Sequence, residues 1–473
     1  SNVFSFGYQP AAILEEKGQD YFSPARPQPT GHLLPLPQLI MAARSNLLSI
    51  WPKSDYKSGV AMTKILGRQI CLVNTPDAVR HVMHIRHENF ERKSPQMRRA
   101  LEFLLGDGLF ISDGETWKKR RPLVADIVHK TRVPEFGRPM RDVSAEFVTR
   151  WENFDANEPV NVLTQMAELT AEIIARAVFG NNLGSAAAYE VIEGFTRYQS
   201  LIDSFNLGYF LGADNGFPII RGPRLRASVK KVNTVIDKVI EDHLAGRGDQ
   251  SSMIELLLRR QARNPELGLD QTALRHEAAT IFMAGHETTA ATLTWVWYLL
   301  SHAPWVEEAL IDEIERVTGG AMPSIDDVPK LDWCRAVIEE TLRLYPPVPI
   351  LARQPREADE IDGHPIKPAS LALVVPWLLH RAQDLWDAPH AFKPERFLGD
   401  QRPIPYSYIP FAIGPRICAG LNFGLSESIL CLAILVQRFK VRVVEGYKVE
   451  PVCRLTLRPN NGLMVTIEKR ARG

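Results

Sequence analysis

One stretch constrains this chain more than any other. From Asp270 to His302 the sequence reads as a single helix of about 33 residues, roughly 50 Å at 1.5 Å per residue, and Pro304 ends it. Helical apolar periodicity extends on both sides, from about Trp117 to Gly320, with loops near Asn153–Pro159, Gly208–Pro223 and Gly246–Gln250. After Pro346 the pattern shortens. Val348–Arg353, Leu371–Val375 and Arg454–Pro459 read as short strands, Glu360–His364 as a hairpin turn, and another long helix follows Cys418 to about Phe439. Upstream, Gly59–Asn74 alternates and turns at Gly67, and Thr75 caps a helix that opens on Pro76. The first fifty or so residues are rich in Pro and predict an extended arm on the surface. The expected fold is mainly α with small β-sheets fed from both ends, as one domain over residues 1–473.

Charge and cysteine usage narrow the function. Lys and Arg number 56 against 55 Asp and Glu, so the net charge is +1 and no general nucleic-acid binder is expected. With 45% apolar residues the chain is globular rather than disordered. Its five cysteines are scattered and include no CxxC pair, which speaks for reduced thiols and against a closed zinc site or a disulfide framework. No apolar run reaches the ~18 residues of a membrane span, and Ser1-Asn2-Val3 begins no signal peptide. The expectation is a soluble, cytoplasmic protein, with an anchor ahead of Ser1 left open.

The sharpest motif is Phe411-Ala-Ile-Gly414-Pro-Arg416-Ile-Cys418-Ala-Gly420. A tight Gly/Pro loop runs straight into an apolar helix, so Cys418 sits just before a helix N-terminus, where the dipole favours a thiolate. Gly414 and Gly420 would let backbone approach a flat ligand, Phe411 could shield the sulfur, and Arg416 supplies a cation for an acidic group. Alone, a buried cysteine beside a glycine turn would look similar. The whole pattern resembles the haem-binding loop of the cytochrome P450 family. That resemblance implies the P450 fold, haem b as cofactor, and Cys418 as the axial thiolate on its iron.

The middle of the long helix carries Ala284-Gly285-His286-Glu287-Thr288-Thr289. Gly and Thr are costly in an apolar helix, and a Thr hydroxyl can bond one turn back, so a local kink with a small groove is expected. A polar patch on a half-exposed helix is the plain alternative. The segment resembles the family's acid–alcohol motif, which implies Glu287 as acid and Thr288 as alcohol in proton delivery to dioxygen, with Ala284 and Gly285 facing the haem.

Three further motifs follow the family's order. Glu340 and Arg343, with Arg396 of Phe392-Lys-Pro-Glu-Arg-Phe397, resemble its structural triad, expected to clamp the loop below the haem. Trp117-Lys-Lys-Arg-Arg121 resembles its WxxxR, which with Arg353 and Arg416 would hold the haem propionates. No reductase segment is present after the last strand, so electrons are expected from a separate ferredoxin, flavodoxin or reductase, or from a partner domain beyond this sequence, and Lys118-Lys119-Arg120 is a candidate docking patch. Substrate contacts are expected from Phe90–Phe110, Ser204–Phe217, the long helix, Val348–Leu351 and Leu455–Asn461. Phe205, Leu207, Tyr209, Phe210 and Leu211 suit a small hydrophobic substrate, and Arg92, Tyr209 and Arg221 could hold a carboxylate if it has one. The implied activity is a monooxygenase that inserts one atom of dioxygen by hydroxylation or epoxidation. Rivals are a peroxide-driven peroxygenase, a hydroperoxide-rearranging enzyme and a non-catalytic haem sensor.

Overall fold

The computed structural model describes residues 7–92, 112, 114–181, 183–203, 222–453 and 456–471. The long helix runs Gln271–Ser301, within one residue of the expected bounds at each end. Asp270 caps it, its side chain accepting the Ala273 N–H at 2.8 Å. From Ala290 to Leu300 every residue is buried. The helix packs most extensively on Val162–Phe179 and also meets Pro223–Leu244, Asp332–Leu344 and Leu421–Arg438. The 284–289 segment does not break it. Thr280, Thr288, Thr292 and Thr294 each donate their hydroxyl to the carbonyl four residues back, so the expected irregularity takes the form of back-bonding within one continuous helix.

Leu421–Arg438 is the described helix long and apolar enough to cross a membrane, yet Ile429–Val436 are all buried in the core. It carries Glu427, fully buried, with neither carboxylate oxygen hydrogen-bonded. Burial pushes this carboxyl well above its ordinary range.

The sheets join the two ends of the chain. Gly59–Ile65 and Arg68–Asn74 form the expected hairpin, and Arg68–Asn74 pairs in parallel with Leu371–Val374, which pairs with Leu351–Arg353. Of the strand expected from Val348, only Leu351–Arg353 forms. Phe439–Val443 and Met464–Lys469 form a second sheet with Val160–Asn161. The N-terminal fifty residues depart from the extended arm expected of them. Ala12–Glu16 and Gln19–Ser23 form a hairpin whose turn, Lys17–Gly18, has both φ positive, and Leu36–Ser45 is a helix with Pro at its start. Prolines mark only the ends of these elements. Contacts that bind the hairpin to the body include Lys393 Nζ, 2.9 Å from Glu16, the Phe392 N–H donating to the Phe22 carbonyl at 2.8 Å, and the Ser23 hydroxyl donating to the His390 carbonyl at 3.2 Å.

Behind that contact lies a buried clamp. Glu340 and Arg343 are fully buried and paired, and Arg396 Nε reaches the other oxygen of Glu340 at 3.0 Å. The Lys393 N–H also donates to Glu340, at 2.6 Å. Arg343 donates onward to the carbonyls of His380, Pro389 and Ala391 at 2.9, 2.7 and 3.0 Å. Five donors thus converge on one carboxylate and on loop carbonyls that have no helix or sheet partner.

Two expected outcomes follow. Glu340→Ala leaves two buried guanidinium groups without their anion and costs roughly 3–5 kcal/mol, read as the drop in unfolding free energy in urea. For Glu427, rising pH removes the proton from the unfolded chain first while the folded chain keeps it, so stability falls as pH rises above the ordinary carboxyl range. Glu427→Gln abolishes that decline, seen as a flatter unfolding midpoint between about pH 5 and pH 8; a fully linked proton is worth about 1.4 kcal/mol per pH unit.

Candidate functional site

Within the core, the long helix, the Cys418 loop and the segment after Pro346 enclose a cavity of about 320 Å³. Cys418 borders it and is exposed there, whereas Cys71, Cys334, Cys431 and Cys453 are buried. Burial raises the Cys71 thiol to about 12, and Cys431 lies in the helix core with Ser144 Oγ 3.4 Å from its sulfur. The geometry around Cys418 is set by backbone. Its N–H donates to the Phe411 carbonyl at 2.8 Å, the Ile417 N–H to the Gly414 carbonyl at 3.0 Å, and the helix begins at Leu421.

The two glycines of this loop do different things. A Cβ on Gly420 would lie 4.0 Å from the Cys418 sulfur, so Gly420 keeps the space beside the thiol open. Gly414 does not border the cavity. Its φ is +75°, and a Cβ there would lie 2.2 Å from the Met83 carbonyl oxygen. The close approach expected at Gly414 is therefore to the backbone of His81–Ile85 rather than to a flat ligand. Gly285 borders the cavity beside Ala284, and a Cβ on it would also meet Ile174 at 3.0 Å, so its smallness serves helix packing as well.

Four cationic or donor side chains expected for an anionic ligand also border the cavity. Arg121 faces Cys418 and donates to the Ile417 carbonyl at 2.6 Å. Trp117 is covered by the Arg416 guanidinium, 4.4 Å from its ring. Arg416 donates to the Ser112 carbonyl at 3.0 Å and pairs with Glu91 at 3.4 Å, so part of its charge is spent on a protein carboxylate. Arg353 is 5% exposed and meets no carboxylate among the described residues. Burial, with Arg416 nearby, lowers it to about 10. A buried guanidinium of this kind calls for an anion that the described residues do not supply. With a cavity-facing thiol, apolar walls and cations at one edge, the donor set fits a haem with two propionates.

On the far wall stand Glu287 and Thr288. Thr288 donates to the Ala284 carbonyl at 2.8 Å, which leaves its oxygen lone pairs as acceptors. Glu287 pairs with Arg458 at 3.3 Å. His286, between them and the core, is buried, with its carbonyl accepting the Thr170 hydroxyl at 2.9 Å. Burial lowers its imidazole to about 4, so it is neutral. The docking patch is smaller than expected. Arg120 turns inward to the fully buried Glu277 at 3.4 Å, leaving Lys118 and Lys119 exposed, with Lys118 paired with Glu115 at 3.7 Å. Phe205, Leu207, Tyr209, Phe210, Leu211 and Arg221 lie outside the described residues, as do Leu455 and most of Phe90–Phe110.

Sequence reasoning missed His380, Glu91 and Arg458. His380 joins the clamp to the cysteine loop: Nδ1 lies 2.9 Å from the Arg343 carbonyl and Nε2 accepts the Ile409 N–H at 2.9 Å. Burial lowers it to about 3, as a neutral bridge with one donor and one acceptor requires. A lone histidine two residues ahead of an Ala-Gln turn gives no local sign of that bridge.

Comparison with known proteins agrees with this geometry. The family described as Cytochrome P450 matches residues 26–467. Cyclooctatin synthase of Streptomyces melanosporofaciens is 32% identical over 401 residues, 82% of this chain and 84% of that protein. A cytokinin hydroxylase of Arabidopsis thaliana is 27% identical over 413 residues, 85% of this chain and 78% of its own. The crystal structure of the cytochrome P450DA heme domain shares the fold, with a TM-score of 0.77 at 24% identity over 87% of this chain and 90% of that one. The protein is a haem-thiolate enzyme by class. The chain belongs to the cytochrome P450 family, and it is a monooxygenase that uses haem b with a cysteine thiolate, dioxygen, an organic substrate and a redox partner.

The glycines give a paired prediction. Gly414→Ala forces a left-handed φ on a side chain that strikes Met83 backbone, and it abolishes the thiolate-type Soret band of the reduced carbon monoxide complex. Gly420→Ala, at an ordinary contact distance, retains it.

Proposed function

We propose that the Cys418 thiolate would hold the haem iron, and that the enzyme hydroxylates or epoxidises a small hydrophobic molecule bound in the same cavity. The observation that carries this is the common cavity. Its wall brings the one exposed cysteine of the five to the same space as Glu287, Thr288 and Arg353, which meets no carboxylate among the described residues. Bound haem supplies the iron at which dioxygen is activated and one oxygen atom is passed to the substrate.

The chain's own residues do the rest. The Phe411 carbonyl and the Arg121–Ile417 bond hold the Cys418 loop in one conformation. Arg353 and Arg121, with Trp117 and Arg416, would hold the propionates. Thr288, already donating to Ala284, accepts a proton-bearing partner on the cavity side, and Glu287 relays protons to it from solvent.

Substrate class follows from what the wall withholds. The hydroxyls of Thr280, Thr288 and Thr292 are all given to backbone carbonyls, while Ile281, Val348 and Leu351 present hydrocarbon. An apolar substrate loses no hydrogen bonds on entering such a site. Relatives named as a synthase and a hydroxylase support C–H oxidation within a biosynthetic step. The exposed Lys118 beside the site supports docking of a separate acidic electron carrier, a ferredoxin, flavodoxin or reductase. Five cysteines without a disulfide support a cytoplasmic setting.

The test is the carbon monoxide difference spectrum of the reduced protein. Cys418→Ala loses the red-shifted Soret band, whereas Cys431→Ser keeps it; the reverse pattern would refute the assignment. With a substrate found by displacement of iron-bound water, Thr288→Ala diverts reducing equivalents into hydrogen peroxide. A loss of product on the order of 10²-fold is expected, with substrate affinity unchanged.

A further inference from the structure

Beside the clamp, the segment after the short helix Pro376–Leu379 carries a further guanidinium. Arg381 is 2% exposed and lies over the fully buried Trp377 ring, its guanidinium carbon 3.3 Å from the ring centre. It donates to the Trp377 carbonyl at 3.3 Å and to the Leu344 carbonyl, and its Nε–H is buried with no partner. Arg26, on the strand Arg26–Pro27 of the N-terminal hairpin, is half-buried in the same neighbourhood. Neither arginine pairs with a carboxylate among the described residues. Asp55 does not answer them: burial raises its carboxyl to about 6, a shift that an adjacent guanidinium would oppose. Burial lowers Arg381 to about 9, and the charges of Arg343 and Arg26 push the same way. Neutral donors face the same positive field. Tyr56 is buried, and its hydroxyl accepts Trp377 Nε1 at 3.1 Å, which leaves its own proton to donate. The His390 ring lies 6.4 Å from the Tyr56 ring, and its Nδ1 is buried without a partner. Burial, with Arg26, Arg381 and Arg343, lowers this imidazole to about 2, so it is neutral. The Tyr345 hydroxyl, next in the chain to Leu344, is a further buried group without a partner. The cluster holds donors and positive charge that no acid among the described residues matches.

We propose that Arg26 and Arg381, with Tyr56 and His390, bind a compact inorganic anion of chloride size. A guanidinium taken out of water is costly unless an anion accompanies it, and unpartnered donors call for a guest that accepts. Water would satisfy the hydrogen bonds but leave both charges unanswered. The buried rings of Tyr56, Trp377 and Tyr345 form the walls, so a halide suits the site and an organic acid does not. Arg26, the half-buried member, marks the side from which the ion enters. The bound anion ties the N-terminal hairpin to the residue that follows His380, and His380 bridges the clamp to the cysteine loop.

The probe is bromide, which scatters anomalously where chloride would sit. Crystals of the haem-loaded protein are soaked in sodium bromide and measured at the bromine absorption edge. A peak within hydrogen-bond reach of Arg381 Nε and the Tyr56 hydroxyl is expected. No peak there, or adventitious ions on the surface only, overturns the proposal. Arg26→Met and Tyr56→Phe weaken or abolish the peak, and undiminished height in both overturns the assignment of these residues. In solution, the thermal unfolding midpoint of the haem-loaded protein is read in sodium chloride and in sodium gluconate at equal ionic strength. Chloride shifts the wild-type midpoint upward, because the folded chain alone binds it, and the difference vanishes in Arg26→Met. Equal wild-type midpoints overturn the proposal, as does a chloride effect that Arg26→Met keeps in full. Arg26 is half-buried, so its variant folds even where Arg381→Met does not.

Discussion

One buried carboxylate organises the cysteine side of this molecule. Glu340 accepts from Arg343, from Arg396 and from the Lys393 backbone, and Arg343 passes the constraint to carbonyls at 380, 389 and 391. His380 carries it to Ile409, two residues before the Phe411 carbonyl that holds the Cys418 N–H. The thiol thus stands at the end of a chain of buried polar contacts, each satisfied. Such a network is costly to break at any point, because every member left unpaired is buried. None of its charged members borders the cavity. Their work is to fix a loop that has no sheet or helix of its own.

The opposite wall is built on a different principle. The long helix can carry Gly285 and a run of threonines at its middle because tertiary packing outweighs propensity. Ile174 fills the space beside Gly285, and the hydroxyls of Thr288 and Thr292 bond to their own helix. The result is a wall that is polar in sequence and largely apolar in presentation. The exception is Glu287, whose charge is answered from outside the helix by Arg458. A site that must exclude water yet admit protons needs such a point where a charge reaches the cavity under control.

Much of this was legible in the chain, and the limits have physical causes. Helices of strong period, the hairpin at Gly67, the Thr75 cap and the Cys418 loop are local signals, and the structure shows each of them. The N-terminal hairpin was not legible, because Lys17–Gly18 forms its turn within a segment whose prolines suggested an extended arm. The neighbour of Gly414 was not legible either. A glycine announces that something comes close, but not what, and at Gly414 it is the Met83 backbone. Arg120 likewise reads as surface charge until Glu277, far along the chain, is found opposite it.

By itself the sequence marked the residues proposed to carry chemistry and the kind of element on which each sits. Thiolate loop, acid and alcohol, and paired ions are written in short patterns whose spacing fixes local geometry. Only the tertiary structure decided which charges answer one another. Glu91 meets Arg416, Glu277 meets Arg120, and Glu287 meets Arg458 across separations that leave no periodic trace. The reason is that burial makes a charge seek whichever partner the fold brings within hydrogen-bond reach, and that reach is a property of packing, not of sequence distance.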